Sequence, residues 1–355
     1  MKKGYTMKTI YTLSILFIAF CGFVFSIDIF QVKAVPENLS RRYFNPDAKF
    51  NFPANTFRIT NQEVRNQPSV TAYIQDMLNK HNSVLLPDTV LRIEKPGLLI
   101  PSGRNLYFSK NTLIEFVSQA TSRLDDILKI YDVSNVRIYN AKIKGSKNLE
   151  GQKGEWSAGI AILNGTNIYI ENAHIYDTWG DGLFIGSESN GVSKNVTVRN
   201  VWIDNARRNA ISVTSAINAS IHNVLLCNTN GTLPECGVDV EPSLSGEYLQ
   251  NVKFRNLYSY NNKNAAFNIN LGSFSSDTYQ YPHPVDIELN NFVDEHSTRF
   301  VGININNAHN KFTPAGKIRI FNGTSFSSNH NIEFWKKEPE ANIDLIYGNI
   351  KKKSN

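Results

Sequence analysis

The sequence predicts an all-β chain, a single-stranded right-handed parallel β-helix with a short helix over its N-terminal end. Three observations predict it. One phrase recurs seven times, a β-prone run closed by Asn five residues after its start: Asn135–Asn140, Asn167–Asn172, Asn195–Asn200, Asn218–Asn223, Asn251–Asn256, Asp286–Asn291 and Lys317–Asn322. The starts lie 32, 28, 23, 33, 35 and 31 residues apart, a solenoid period in which each repeat buries its apolar side by stacking on its neighbours. Each phrase alternates with period two, which marks a strand. A second strand follows in each coil, carrying Ile160/Ile162, Leu183/Ile185, Ile211/Val213, Val238/Val240, Phe267/Ile269 and Ile303/Ile305. Leucine-rich repeats need a tighter period, and propeller blades need four strands with antiparallel turns.

Taken in order, residues 1–34 read as an export signal. Met1–Lys8 is basic, Thr9–Ile27 is nearly all apolar, and Val32-Lys33-Ala34 offers a small-residue cleavage site. The apolar run is also near membrane-spanning length, so an anchor through residues 9–27 is the alternative. Either way the body is expected outside the cytoplasm, secreted or periplasmic. Residues 35–82 form a polar lead-in ending in a helix at Val70–Lys80, where Val70, Ile74, Met77 and Leu78 share one face. Such a helix covers backbone groups that an open solenoid end leaves bare. Residues 83–348 form the β-helix, and residues 349–355 a disordered basic tail. The recurring Asn suits an amide row at a bend, each side chain bonding to the next coil.

The net charge of +6 is halved once residues 1–34 are set aside. That is too mild for a nucleic-acid partner. Cys227 and Cys236 flank the loop 228–235; a disulfide and two buried thiols are both compatible with that placement. The His residues form no metal-spaced cluster, and no phosphate-cradling Gly loop is present.

Two coils are lengthened, by Gly145–Trp156 and Thr229–Glu235, on the same side of the solenoid. Loops of this kind usually build a binding face. Aligning the second strands puts Gly159, Gly182, Ala210, Gly237, Ala266 and Gly302 in one column, a bare strip on which a flat polymer would lie. Beside it fall Glu155, Trp156, Asp177, Trp179, Asp181, Arg207, Arg208 and Asn209. Coils are about 4.8 Å apart, so carboxyls one or two coils apart sit ~5–10 Å from each other, the range that glycoside hydrolysis uses. Glu155 and Asp181 are the candidate acid/base pair, with Asp177 as substitute. Arg207 and Arg208, with Asn209, are candidate substrate clamps, and Trp156 and Trp179 candidate sugar platforms. Asp239 and Glu241 either bind Ca²⁺ through oxygen or cap the outward Asn268/Asn270 and Asn304/Asn306 pairs; the second reading is preferred.

The phrases Gly154–Ile162 (GEWSAGIAI), Trp179–Gly186 (WGDGLFIG), Ala206–Val213 (ARRNAISV) and Cys236–Pro242 (CGVDVEP) resemble those of the pectin-lyase-like superfamily, over roughly residues 83–346. The resemblance implies the β-helix and a polysaccharide partner, mostly acidic, handled by hydrolases, lyases or epimerases. It does not carry over a catalytic motif. Polygalacturonases place acidic residues on successive coils, and here only Asp181 matches, with Ala158, Asn209 and Cys236 in the adjacent positions. The Asp-Pro-His of mannuronan epimerases is absent. Tailspike glycosidases, with acidic residues on adjacent coils, are most similar to Glu155/Asp177/Asp181. The expectation is an exported glycoside hydrolase without a cofactor. A lyase with an Arg base, and Ca²⁺ near Asp239 and Glu241, is the alternative enzyme; a non-catalytic glycan-binding solenoid is the alternative outside catalysis.

Overall fold

The computed structural model describes residues 30–274, 284–305, 314–326, 332–337 and 342–353. Residues 1–29 of the expected leader (1–34), Asn306 and the last two residues of the tail lie outside them. Two parallel sheets wind along the chain. The larger contains the long strands Thr166–Tyr176, Ser193–Asp204, Ala216–Cys227, Leu249–Tyr260, Pro284–Glu295, Ala315–Ser325 and Asn342–Lys352. The second stacks Leu98–Leu99, Leu128–Tyr131, Ile160–Leu163, Leu183–Gly186, Ile211–Val213, Val238–Val240, Ala265–Asn270, Arg299–Ile305 and Ile332–Lys337. Inward side chains fill the space between the sheets in rows such as Ile160–Leu183–Ile211–Val238–Phe267.

Asn140, Asn172, Asn200, Asn223, Asn256 and Asn291 stand in register in one row. Each has a left-handed φ between 54° and 60°. Bonds of 2.5, 2.7 and 2.7 Å join Asn172 to Asn140, Asn223 to Asn200 and Asn291 to Asn256. Asn is the side chain that tolerates this backbone while also bridging to the next coil. A parallel row, Asn135–Asn167–Asn195–Asn218–Asn251, is bonded throughout at 2.8–3.2 Å.

The helix Val70–Lys80 lies where the spacing places it, with Thr71, Ile74, Met77 and Leu78 buried. Ser69 caps it by accepting from the Ala72 amide at 3.2 Å. The lead-in does more than lead in. It runs back along the amide rows as an arm. The Lys33 amide and carbonyl exchange bonds with the Asn228 side chain (3.0 and 3.0 Å), and those of Asn45 do so with Asn172 (2.8 and 2.8 Å). Asn223 donates to Arg42 O and Asn140 to Ala48 O, both at 3.1 Å. Aromatic contacts join Tyr43 to Tyr258, Phe44 to His174 and Phe50 to Tyr139.

Three expectations are corrected, and one open alternative is decided. Val301 and Ile303, not Ile303 and Ile305, pair with Phe267 and Ile269, so Phe300 rather than Gly302 extends the small-residue column. That column faces the core. A Cβ on Gly182 would stand 2.2 Å from Ile203 Cγ2, and one on Gly159 2.3 Å from Ile175 Cγ2. The residues are small because the opposite sheet's Ile side chains fill that space, not because a polymer lies there. Cys227 and Cys236 are buried free thiols. The strand Asn342–Lys352 pairs with its neighbour out to Ser325–Lys352, where a disordered tail was expected from residue 349.

Candidate active site

The outer face of the second sheet carries a cavity of about 400 Å³. Its lining includes Asp126, Trp156, Asp181, Arg208, Ser212, Asp239, Glu241 and Glu247. One column builds its floor. Two residues before each inward anchor of the strand come Asp126, Ala158, Asp181, Asn209 and Cys236. Three of these side chains make the same bond, accepting the backbone N–H of the next residue in the column. Asp126 Oδ1 accepts from Ala158 (2.5 Å), Asp181 Oδ1 from Asn209 (3.0 Å) and Asn209 Oδ1 from Cys236 (2.9 Å). Asn209 shows that a neutral amide suffices for this architecture. The charges of Asp126 and Asp181 are therefore surplus to it, and burying a charge is costly.

Asp181 is buried. Burial raises its pKa, against the pull of Arg208, whose Nη1 stands 3.0 Å from Oδ2. Arg208 is in turn raised, chiefly by Asp181 and further by Asp239, Glu241 and Glu155. Asp239 is buried too. It accepts from Asn268 Nδ2 at 2.8 Å and Asn209 Nδ2 at 3.2 Å. Burial and then Glu241 push its pKa up to about 8. Asp126, bonded by the Tyr131 hydroxyl, is raised by burial to about 6. Asn209 thus holds both members of a pair, Asp181 through its backbone and Asp239 through its side chain.

The sequence-selected residues separate into three groups. Asp181, Arg208, Trp156, Asp239 and Glu241 line the cavity. Glu155 sits beside it in solvent, 3.7 Å from Arg208 Nε, and Asn209 lies fully buried beneath it. The other three are not among the lining residues. Asp177 has a left-handed φ of 53° in a turn row and accepts from Asn205 at 2.6 Å. Arg207 stacks over the Trp179 ring, 3.7 Å from its centroid, and donates to Gly154 O and Trp179 O. That stack buttresses the inserted loop, so Trp179 presents its face to an arginine. Asp239 and Glu241 cap amide rows, as preferred. Asn268 bonds to Asp239, Asn270 to Glu241 (2.6 Å), and Asn304 to Asn270 (3.0 Å). Among the described residues no three His, Cys, Asp or Glu side chains gather as a metal-binding group.

Asp126 escaped the sequence reading because the strand Leu128–Tyr131 precedes the first Asn phrase. A signal was present: Asp126-Ile127-Leu128-Lys129-Ile130 has the pattern of Asp181-Gly182-Leu183-Phe184-Ile185.

Comparison with known proteins fits this fold. The family model described as "Right handed beta helix region" matches residues 79–242. A polygalacturonase of Erwinia carotovora ssp. carotovora superposes with a TM-score of 0.54 at 13% identity, over 87% of this chain and 96% of that one. The chain has the right-handed parallel β-helix fold. The tailspike of E. coli bacteriophage HK620, solved with a hexasaccharide, shares the β-helix at TM-score 0.53 and 11% identity, over 84% of this chain and 56% of the tailspike. The tailspike of Acinetobacter baumannii bacteriophage Fri1, a capsular polysaccharide depolymerase, gives 0.52 and 14%, over 85% and 58%. At these identities the likeness is one of fold. An uncharacterized Bacillus subtilis protein, YclG, is 31% identical over 96 residues, 24% of this β-helix chain and 16% of its own length.

Proposed function

We propose that the protein is an exported enzyme that cleaves a polysaccharide by hydrolysis at the Asp181/Asp239 pair. One observation carries the reading. Carboxylic acids occupy buried column positions where a neighbouring coil does the same structural work with an amide, and they open onto one cavity. Asp239, pushed up to about 8, holds its proton at neutral pH and is the general acid toward the leaving oxygen. Asp181, with Arg208 against it, is the ionised partner that activates water or attacks the sugar. The two stand two coils apart, ~10 Å along the backbone, and both bond to Asn209, which suits the paired-carboxyl geometry of glycosidases. Half-exposed Trp156 offers a face for a sugar ring. Glu155, out in solvent, is the weaker acid/base candidate.

Elimination is less well served. Arg208 is tied to Asp181 and raised in pKa, which makes it a poor base; Arg207 is committed to Trp179 and two carbonyls. The test is incubation of the purified protein with a panel of polysaccharides. Hydrolysis releases reducing ends alone, whereas elimination also creates an unsaturated uronate that absorbs in the near ultraviolet. A rise in that absorbance overturns hydrolysis. Binding without cleavage by any panel member favours the non-catalytic module.

A further inference from the structure

We infer that the sugar unit bound in this cavity carries no carboxylate or sulfate group; the inference rests on the polysaccharide reading above. Six carboxyl side chains line the cavity, Asp126, Asp181, Glu188, Asp239, Glu241 and Glu247, against two cations, Arg123 and Arg208. Both cations are already taken. Arg123 Nη2 is 2.7 Å from Glu188, and Arg208 bridges Asp181 at 3.0 Å and Glu155 at 3.7 Å. Lys129 feels Asp126 and Asp125 but does not line the space.

Among the described lining residues, an anionic sugar entering here competes with Glu188 for Arg123 and with Asp181 for Arg208. To take Arg208 Nη1 it must displace Asp181, and that leaves a buried carboxylate without its cation. To bind elsewhere it must face Glu241, and like charges brought together oppose association. An uncharged or amino-bearing sugar meets the opposite situation. Its O–H and N–H groups are donors, and carboxylates are acceptors with lone pairs to spare. Glu241 uses Oε1 for Asn270, and no bond to its Oε2 is made among the described residues. The apolar side chains Leu163, Phe184 and Leu244, with Trp156, take the C–H faces of such a ring. A charge-selective wall of this kind is a specificity device, because it rejects the wrong partner as well as admitting the right one.

The test measures binding of the full chain by calorimetry to matched oligosaccharides: oligogalacturonate, malto-oligosaccharide, and chito-oligosaccharide in acetylated and deacetylated forms, each at low and high salt. We expect at least one uncharged or amino-bearing oligosaccharide to bind ~10-fold or more tighter than oligogalacturonate. We also expect Glu241→Gln to raise oligogalacturonate affinity relative to the wild type. Oligogalacturonate binding most tightly, strengthening at low salt and lost in Arg208→Gln, overturns the inference and leaves the enzyme reading standing. Binding to none of these, together with no cleavage of any polysaccharide, overturns both.

Discussion

The two flanks of each coil use opposite chemistry at equivalent places. On the large-sheet flank, the row Asn135–Asn167–Asn195–Asn218–Asn251 is all Asn, and each inner amide gives one bond and takes another, so that row is neutral. On the second-sheet flank the column Asp126–Ala158–Asp181–Asn209–Cys236 starts from the same scheme and departs from it. Carboxylates replace amides, and Ala158 leaves a gap between two of them. A carboxylate accepts but cannot donate. In this column the side chain meets a backbone N–H, so a carboxylate keeps the accepted bond and adds a charge without a structural use. The comparison teaches where to look in a solenoid for chemistry: the coils in which a carboxylate stands where an amide would make the same bond.

The largest test of that contrast is on activity. Asp239→Asn or Asp181→Asn should lower cleavage ~10²–10⁴-fold, whereas Asn200→Ala on the other flank should leave specific activity of the folded protein unchanged. Equal losses from both flanks would break the comparison. Next is the amide row itself. Asn172→Leu forfeits its bonds to Asn45 and Asn140 and puts a branched side chain at φ 57°. It should cost ~2–4 kcal/mol by denaturant melting, summing bonds and backbone strain.

A third test uses pH. Asp239 has a folded pKa of about 8, above an ordinary carboxyl near ~4. Its stabilising contribution is complete below pH ~4 and lost as pH rises through about 8. Asp294, buried in register with Ser259 and Ser325 and pushed to about 7, has the same sign. The melting temperature should therefore fall between pH 5 and 8. Asp294→Asn should flatten that slope without touching activity, while Asp239→Asn flattens it and abolishes activity. The smallest effect is expected at the Arg207–Trp179 stack. Trp179→Ala should cost ~0.5–2 kcal/mol of stability, the value of one cation–π contact, with little change in turnover per folded molecule.

The β-helix, the capping helix Val70–Lys80 and the Asn172 row were legible because each follows from local periodicity or from a backbone only Asn adopts easily. The site was half legible. Asp181, Arg208 and Trp156 fall near one another by coil alignment alone. Asp239 and Glu241 looked separate because sequence alignment counts coils, while Asn209 reaches across them to bond Asp239. Asp177 and Asp181 are four residues apart in sequence, yet one ends a turn row and the other faces the cavity. That difference depends on which side of the chain each side chain leaves, and composition does not record it. The Gly column misled for the same reason: smallness was visible, its direction was not.

The N-terminal arm adds an order of events. Lys33 is made 195 residues before Asn228, the amide that holds it, and Asn45 is made 127 before Asn172. During synthesis the arm therefore has no place to dock until several coils exist, and it emerges before them and is fastened after them. Any process that must grip the arm, whether a transporter or a protease, has its opportunity in that interval, and it closes when Asn228 is in place.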